Sequence, residues 1–360
     1  MCKNRKVVIT TGGTGGHVFP AEALAKQLLQ ESYDVTFIGG GLQTNRYFHR
    51  HEFKFQEVVV SPFFQLNIFK AFWRICKGTW QSLKILKAIN PEMVIGFGSF
   101  YTFPVLLAAY LKKIPIVLFE SNAIPGKVNR LFSWLGALCT VQFKEAGKHL
   151  SGPIIEVKMP VLEKIEVDKS LAREYFYLCP HLLTILVFGG SQGADTINSF
   201  FSETIAELKS DAPFQVIHVT GKTDSAEKLR QFYAQRSIPA CVKAFEERMH
   251  LAWHAASIVI CRSGAATIAE QMRYAVPGIF IPFARASDDH QTQNAIFVEQ
   301  EVKGGFTCPE SKLSVEYLKY LLENMLFSGK KEEMKQAIIY FNQRQNQEEL
   351  SAIIKQFMQG

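Results

Sequence analysis

Short apolar runs alternate with longer amphipathic stretches along the whole chain. In the first half, runs at 6–10, 35–38, 57–60, 92–96, 115–119 and 138–141 predict strands, and stretches near 20–31, 69–89, 103–112 and 126–135 predict helices. In the second half, strands are predicted at 183–188, 215–219, 241–244, 257–261 and 278–281, and helices near 195–208, 224–235, 249–256, 265–274 and 291–300. Strands that are apolar throughout, rather than at every second position, belong in parallel sheets covered on both faces. The pattern runs through twice, which predicts two doubly wound α/β domains. Gly152-Pro153 and Met159-Pro160 bracket a segment without clear period, and mixed charges follow from Glu163 to Lys169, so 152–169 reads as an interdomain connection. The stretch 331–358 is charged and helical.

A length of 360 residues with 48% apolar content suits two domains that each bury a core. Forty basic against 33 acidic residues leave a net charge of +7. That mild excess suits anionic substrates or an anionic lipid surface, and no DNA- or RNA-binding motif accompanies it, so nucleic acid is not an expected partner. The seven cysteines are scattered and form no C-x-x-C pair, which reads as reduced thiols in a cytosolic protein without a zinc site. The first apolar run is too short for a signal peptide, and no stretch approaches 18 uncharged apolar residues. Any contact with a membrane is therefore expected to be peripheral.

Glycine turns follow three of the predicted strands. They are Gly12-Gly13-Thr14-Gly15-Gly16-His17, Gly96-Phe97-Gly98, and Gly189-Gly190-Ser191-Gln192-Gly193. Glycine lets the chain turn sharply and lets a ligand approach the amides, and the helix that follows offers free N–H groups and partial positive charge to a phosphate. A nicotinamide-binding reading fits poorly: the first turn matches G-x-G-x-x-G only loosely, and the second strand runs into Gly39-Gly40-Gly41 where an acid is expected. A fourth turn, Cys261-Arg262-Ser263-Gly264, opens a helix on which Glu270 can accept hydrogen bonds from a ribose diol; taken alone, Glu270 reads rather as a solvated helix carboxylate. Gln291 and Asn294 share a helix face and suit sugar hydroxyls.

Taken in order, Gly12 to Pro20, Gly189 to Ala194, Cys261 to Gly264 with Glu270, and Gln291 with Asn294-Ala295 make the chain resemble the MurG family across roughly 6–345. The family's members transfer N-acetylglucosamine from UDP-N-acetylglucosamine to undecaprenyl-diphosphate-N-acetylmuramoyl-pentapeptide in peptidoglycan synthesis. The resemblance implies a GT-B fold, two Rossmann-like domains facing across a cleft. It divides the chain into an acceptor- and membrane-facing domain at 1–158, a UDP-sugar-binding domain at 159–340 and a helix at 341–360 returning to the first domain. It places Thr14, Gly15 and Gly16 near the donor sugar and the acceptor diphosphate, and Asn122 against the donor sugar. Ser191 is placed on the donor diphosphate. Backbone groups of Glu246 are placed on uracil, where side-chain identity is immaterial. Ala265, Ala266, Thr267, Ile268, Ala269 and Glu270 are placed on phosphates and ribose, and Gln291 on sugar hydroxyls. Two positions depart from the family. Leu162 stands where an arginine is usual, with Lys164 nearby, and Gly98-Ser99-Phe100 replaces Gly-Gly-Tyr.

The implied reaction is inverting displacement at the anomeric carbon by the acceptor 4-hydroxyl. It needs a base and positive charge at the leaving diphosphate. The helix starts at 191–195 and 264–268 supply the charge, and without a D-x-D motif the reading calls for no metal and no cofactor. His17, at a helix N-terminus that disfavours imidazolium, is the first candidate base, with a purely positioning role as the alternative. Glu120 is the second candidate, with a structural carboxylate as its alternative. Another GT-B transferase with a lipid acceptor, an epimerase and a catalytically dead adaptor are the competing readings. From Phe63 to Trp80, bulky apolar residues interleave with Lys70, Arg74 and Lys77. This suits an anionic bilayer surface, and a core helix with a solvated basic face is the alternative. The expected location is the cytoplasmic face of the bacterial plasma membrane, among cell-wall synthesis proteins.

Overall fold

The structure, a computed structural model, describes residues 5–61, 68–160, 166–190, 194–208, 214–283, 289–344 and 347–359. It divides into two compact units, Met1–Leu162 with Gln347–Gly360, and Glu163–Asn346. In the first unit the strands are β1 (Lys6–Thr10), β2 (Asp34–Gly39), β3 (Lys54–Glu57), β4 (Met93–Gly96), β5 (Ile116–Glu120), β6 (Leu138–Val141) and β7 (Ile154–Lys158). The helices are α1 (Gly15–Gln30), α2 (Ile68–Ile89), α3 (Phe103–Leu111), α4 (Lys127–Trp134) and α5 (Lys144–Gly147). The second unit holds β8 (Leu183–Phe188), β9 (Phe214–Val219), β10 (Ala240–Lys243), β11 (Ile258–Cys261), β12 (Gly278–Phe280) and β13 (Gly305–Thr307). Its helices are α6 (Lys169–Tyr175), α7 (Asp195–Glu207), α8 (Thr223–Gln235), α9 (Met249–Ala255), α10 (Ala265–Tyr274), α11 (His290–Phe297), α12 (Val315–Phe327) and α13 (Lys330–Arg344). The chain ends in the first unit with β14 (Glu348–Glu349) and α14 (Leu350–Gln359).

Both sheets are parallel throughout, in the orders β14-β7-β6-β5-β4-β1-β2-β3 and β10-β9-β8-β11-β12-β13. Every residue of β4, β5, β6 and β11 is buried, as unbroken apolar strands require. In each unit the strand order reverses at the first strand, and ligands of such sheets bind in the crevice at the strand ends where that happens. The reversal lies between β1 and β4 in one unit and between β8 and β11 in the other. Four of the glycine turns therefore fall at two switch points: Gly12–Gly16 beside Gly96–Gly98, and Gly189–Gly190 beside Arg262–Gly264.

Three expectations change. Residues 154–158, assigned to a connection, form β7 inside the first sheet, paired with β6 and β14. Only Val157 is buried there, so the strand carries no continuous apolar run. The expected terminal helix at 341–360 is instead the end of α13, the short β14 and then α14, which is tied to the first unit by Arg5 to the Met358 carbonyl and Lys355 to Glu31. The strand expected at 57–60 lies at 54–57. Val58 to Val60 are apolar because they run under α2: a Cβ on Gly78 would stand 1.9 Å from the Val59 carbonyl oxygen.

On α2 the side chains are sorted by size. Ala71, Gly78, Thr79, Ser82 and Leu86 are buried, whereas Phe69, Phe72, Trp73 and Trp80 are 89%, 67%, 61% and 56% exposed. Lys77 and Lys84 stand over the Trp73 and Trp80 rings at 5.1 and 3.5 Å. Phe63, Phe64 and Leu66 lie outside the described residues, and the Ile68 side chain is not described.

Candidate active site

At the switch point of the first unit, Thr14 is the N-cap of α1 and His17 is its third residue, with the Thr11 hydroxyl donating to the His17 carbonyl at 3.0 Å. The histidine ring lies over the second glycine turn. A Cβ on Gly98 would come within 3.6 Å of His17 Cε1, 3.7 Å of Nδ1 and 3.4 Å of Asn129 Nδ2, and Gly98 itself has φ +73°. A Cβ would only touch imidazole and amide at ordinary contact distance, so the positive φ, rather than lack of room, is what favours glycine there. Gly15 is buried and Gly16 half-buried in the first turn of α1.

Glu120 ends β5 fully buried. Its Oε1 accepts from the Asn122 backbone at 3.0 Å and the Asn122 amide at 3.3 Å. Its Oε2 accepts from Gly126 N at 3.0 Å and Asn129 Nδ2 at 2.9 Å. Burial raises its carboxyl above the ordinary range, opposed by these donors. The arrangement makes Glu120 the brace that fixes the loop 121–126 and the first turns of α4, including Asn122.

In the second unit Gly190 turns at φ +84° after β8. Ser191 lies outside the described residues, as do Leu162 and Lys164. After β11, Gly264 caps α10, whose first residues Ala265, Ala266 and Thr267 present their amides at the helix start, with Ile268 buried behind and Ala269 half-buried. Ser263 donates to the Gln291 carbonyl at 2.8 Å, and Asn294 donates to the Ser263 carbonyl at 3.0 Å, so α11 is fixed to the turn. Gln291 Oε1 accepts from Phe283 N at 3.0 Å. Asn294 thus helps fasten the turn. Glu270 accepts from the Trp253 indole N–H at 2.9 Å, and burial pushes its carboxyl up to about 7, with the indole bond opposing. Glu246 is buried, paired with Lys243 at 2.5 Å and accepting from Arg248 N at 2.7 Å. Its side chain shapes the 243–248 turn.

The glycosyltransferase family 28 N-terminal domain matches residues 7–137, and the family's C-terminal domain matches 184–357. The chain belongs to glycosyltransferase family 28. Among family 28 relatives, a protein of Protochlamydia amoebophila is 46% identical over 87% of this chain and 85% of its own length. One of Chlamydia pneumoniae is 34% identical over 98% and 99%. Both are named UDP-N-acetylglucosamine–N-acetylmuramyl-(pentapeptide) pyrophosphoryl-undecaprenol N-acetylglucosamine transferase. The crystal structure of Acinetobacter baumannii MurG superposes with a TM-score of 0.78 at 26% identity, covering 99% of each chain. The two Rossmann-like units are those of the GT-B fold, and the family makes this chain a glycosyltransferase.

Around the switch points of the two units, three residues carry geometry that motif reading did not single out, and Arg262, already named in the fourth turn, has a structural role. Trp253 orients Glu270, and Asn129 joins Glu120 to the His17 region. Arg262, buried, binds the Ile281 and Pro282 carbonyls and Glu310, locking β11 to β12. Tyr101 covers the first turn, where a Cβ on Gly12 would meet it at 2.7 Å. These partners come from distant elements, so no local spacing announces them. The departure at Ser99 also gains a physical account. Ser99 keeps φ +68° and ψ 155°, a region essentially reserved for glycine, held by two bonds from Thr102 to its carbonyl. Ser99→Gly is expected to stabilise the first unit by about 1 kcal/mol, the relieved strain exceeding the added unfolded-state entropy. Urea unfolding would show it as a higher midpoint; an unchanged or lower midpoint means that the serine is unstrained.

Proposed function

We propose that the chain transfers N-acetylglucosamine from UDP-N-acetylglucosamine to the 4-hydroxyl of undecaprenyl-diphosphate-N-acetylmuramoyl-pentapeptide, inverting the anomeric centre. The observation that carries this is the 46% identity over 87% of the chain to a relative named for that reaction. Helix-start geometry at both switch points supports it. In this reading the second unit holds the donor. The turn at Gly190 and the amides at the start of α10 take the diphosphate, with Ser191 as a further partner. Glu270 accepts from the ribose diol, backbone groups near Glu246 meet uracil, and the Gln291 amide nitrogen donates to the sugar. The first unit takes the acceptor at Thr14, Gly15 and Gly16, with Asn122 toward the transferred sugar. The acceptor oxygen bonds to the anomeric carbon as the bond to the diphosphate oxygen breaks. UDP leaves with the electron pair, and His17 receives the hydroxyl proton. Glu120, with both oxygens engaged, acts as a positioning residue for Asn122 and Asn129 rather than as the base.

The enzyme is proposed to work at the cytoplasmic face of the bacterial plasma membrane, near other cell-wall synthesis proteins, docked through the outward aromatic and basic face of α2. Among the described residues no helix is long and apolar enough to cross a membrane. The test of the reaction is UDP release from UDP-N-acetylglucosamine with and without the muramoyl lipid. Release that ignores this acceptor, or prefers a diacylglycerol, overturns the proposal in favour of another lipid glycosyltransferase.

Glu270 gives a pH test. With its carboxyl near 7, the carboxylate that accepts from a ribose is lost as pH falls through 7. UDP affinity is expected to fall from pH 8 to pH 6. The Glu270→Gln variant should show only the smaller fall due to the nucleotide's own phosphate. Glu270→Ala should weaken UDP by roughly 1–3 kcal/mol at pH 8. Calorimetry with equal affinities for wild type and both variants would remove Glu270 from the donor site.

A further inference from the structure

The second unit contains a cavity of about 230 Å³ that the transfer reaction does not use. It lies between the start of α6, the ends of α9 and α10, and the first turns of α13. Three lysines line it. Lys169 is the first residue of α6, and Lys331 and Lys335 stand one turn apart on α13. Among the described residues none of the three is ion-paired; the pair on α13 joins Lys330 to Glu333 instead. Among the described residues Lys169 reaches the Ser257 hydroxyl, at 3.4 Å. Its ammonium is pushed down to about 8, by burial first and then by Arg173, Lys335 and Lys331, with the Glu332 carboxylate, which feels all three lysines, opposing. Two carboxylates share the wall: Glu332, which accepts from Gln336 at 3.0 Å, and Glu166. Three lysines with Arg173 behind them outweigh these, so the cavity keeps an excess of positive charge in partly desolvated surroundings.

The rest of the wall mixes small and apolar residues, such as Ala256 and Val276, with three rings. Trp253 and Tyr274 lie parallel, 4° apart with centroids at 6.2 Å, and His254 stands edge-on to Tyr274 at 4.8 Å. Trp253 is the residue whose indole N–H holds Glu270. Like charges gathered at one concavity repel unless an anion joins them, and a cavity that focuses their field concentrates anions.

We propose that this cavity binds a small soluble polyanion, a compound carrying two or more phosphate or carboxylate charges, between Lys169, Lys331 and Lys335. Trp253, buried in the wall between this cavity and Glu270, ties the two places together.

The probe is inorganic pyrophosphate, titrated into the full chain already saturated with UDP so that the donor diphosphate site is filled. Of the four tryptophans, Trp73, Trp80 and Trp134 are exposed and Trp253 is buried. Acrylamide therefore quenches the first three preferentially, and the shielded emission reports Trp253. The expected result is a saturable change in that emission, matched by heat in calorimetry. Affinity should fall at least tenfold in K331A/K335A and again on adding K169A, with UDP affinity kept in both. Sodium chloride of equal ionic strength should give no such change. A response that is not saturable, that chloride reproduces, or that survives in the lysine variants overturns the proposal.

Discussion

Replacing His17 with alanine is expected to lower kcat by about 10²–10⁴-fold, with the donor KM and UDP affinity nearly unchanged. The ring lies over Gly98, beside Asn129 and at the N-terminal turn of α1, where the glycine turns of β1 and β4 meet. Alanine suits a helix interior, so α1 should persist and the loss should fall on the chemical step. A residue that only positions the acceptor predicts something different: a raised acceptor KM, and substantial rescue by His17→Gln, which restores hydrogen bonding without basicity. A base predicts no rescue by glutamine and loss of the acid limb of the kcat/KM profile. A decrease below threefold at saturating acceptor would remove His17 from the proton transfer.

The glycine turns were legible in the sequence because a phosphate cradle constrains residue type where the chain leaves a buried strand. The strands before them, such as Val7 to Ile9 and Ile258 to Cys261, are apolar on both faces, so two parallel sheets followed directly. Legibility failed at the sheet margins. β3 reads Lys54-Phe55-Gln56-Glu57 and β7 carries Glu156 and Lys158, because strands with little cover need no apolar run. Val58 to Val60 misled for the opposite reason, being apolar to support a helix rather than to join a sheet.

At the site, sequence supplied the groups that would face a ligand but not those that hold them. The Glu270 partner is 17 residues away on α9, and Glu120 is satisfied partly by Asn129 on α4. Ser99 shows a further limit. The sequence shows it in place of a family glycine but not that its backbone takes a glycine-like conformation, with Thr102 holding its carbonyl.

Changing Phe69, Phe72 and Trp73 to serine is expected to release the protein from vesicles containing anionic lipid, lowering membrane affinity about 10²-fold. The estimate takes roughly 1 kcal/mol per side chain, less than the 1.5–3 kcal/mol of complete burial, since a helix lying in the interface inserts only partly. Polarity alone left α2 ambiguous between a core helix and a docking helix, and size settles which face is which. Small residues such as Ala71, Gly78 and Ser82 face the unit, letting α2 approach the chain at Val59, while the large aromatics point outward. These aromatics thus contribute little to the core, and the variant should unfold at the wild-type midpoint and bind UDP normally. The basic residues act on the same surface. Lys70, Arg74, Lys77 and Lys84 lie on the helix with the aromatics, each giving about 1 kcal/mol near an anionic leaflet and less as salt rises. Flotation should therefore weaken between 50 and about 500 mM salt for wild type, and the variant should lose activity on a long-chain acceptor more than on a short-chain analogue. Wild-type flotation by the variant would place the docking face elsewhere on the first unit, and unfolding of the variant would return α2 to the core.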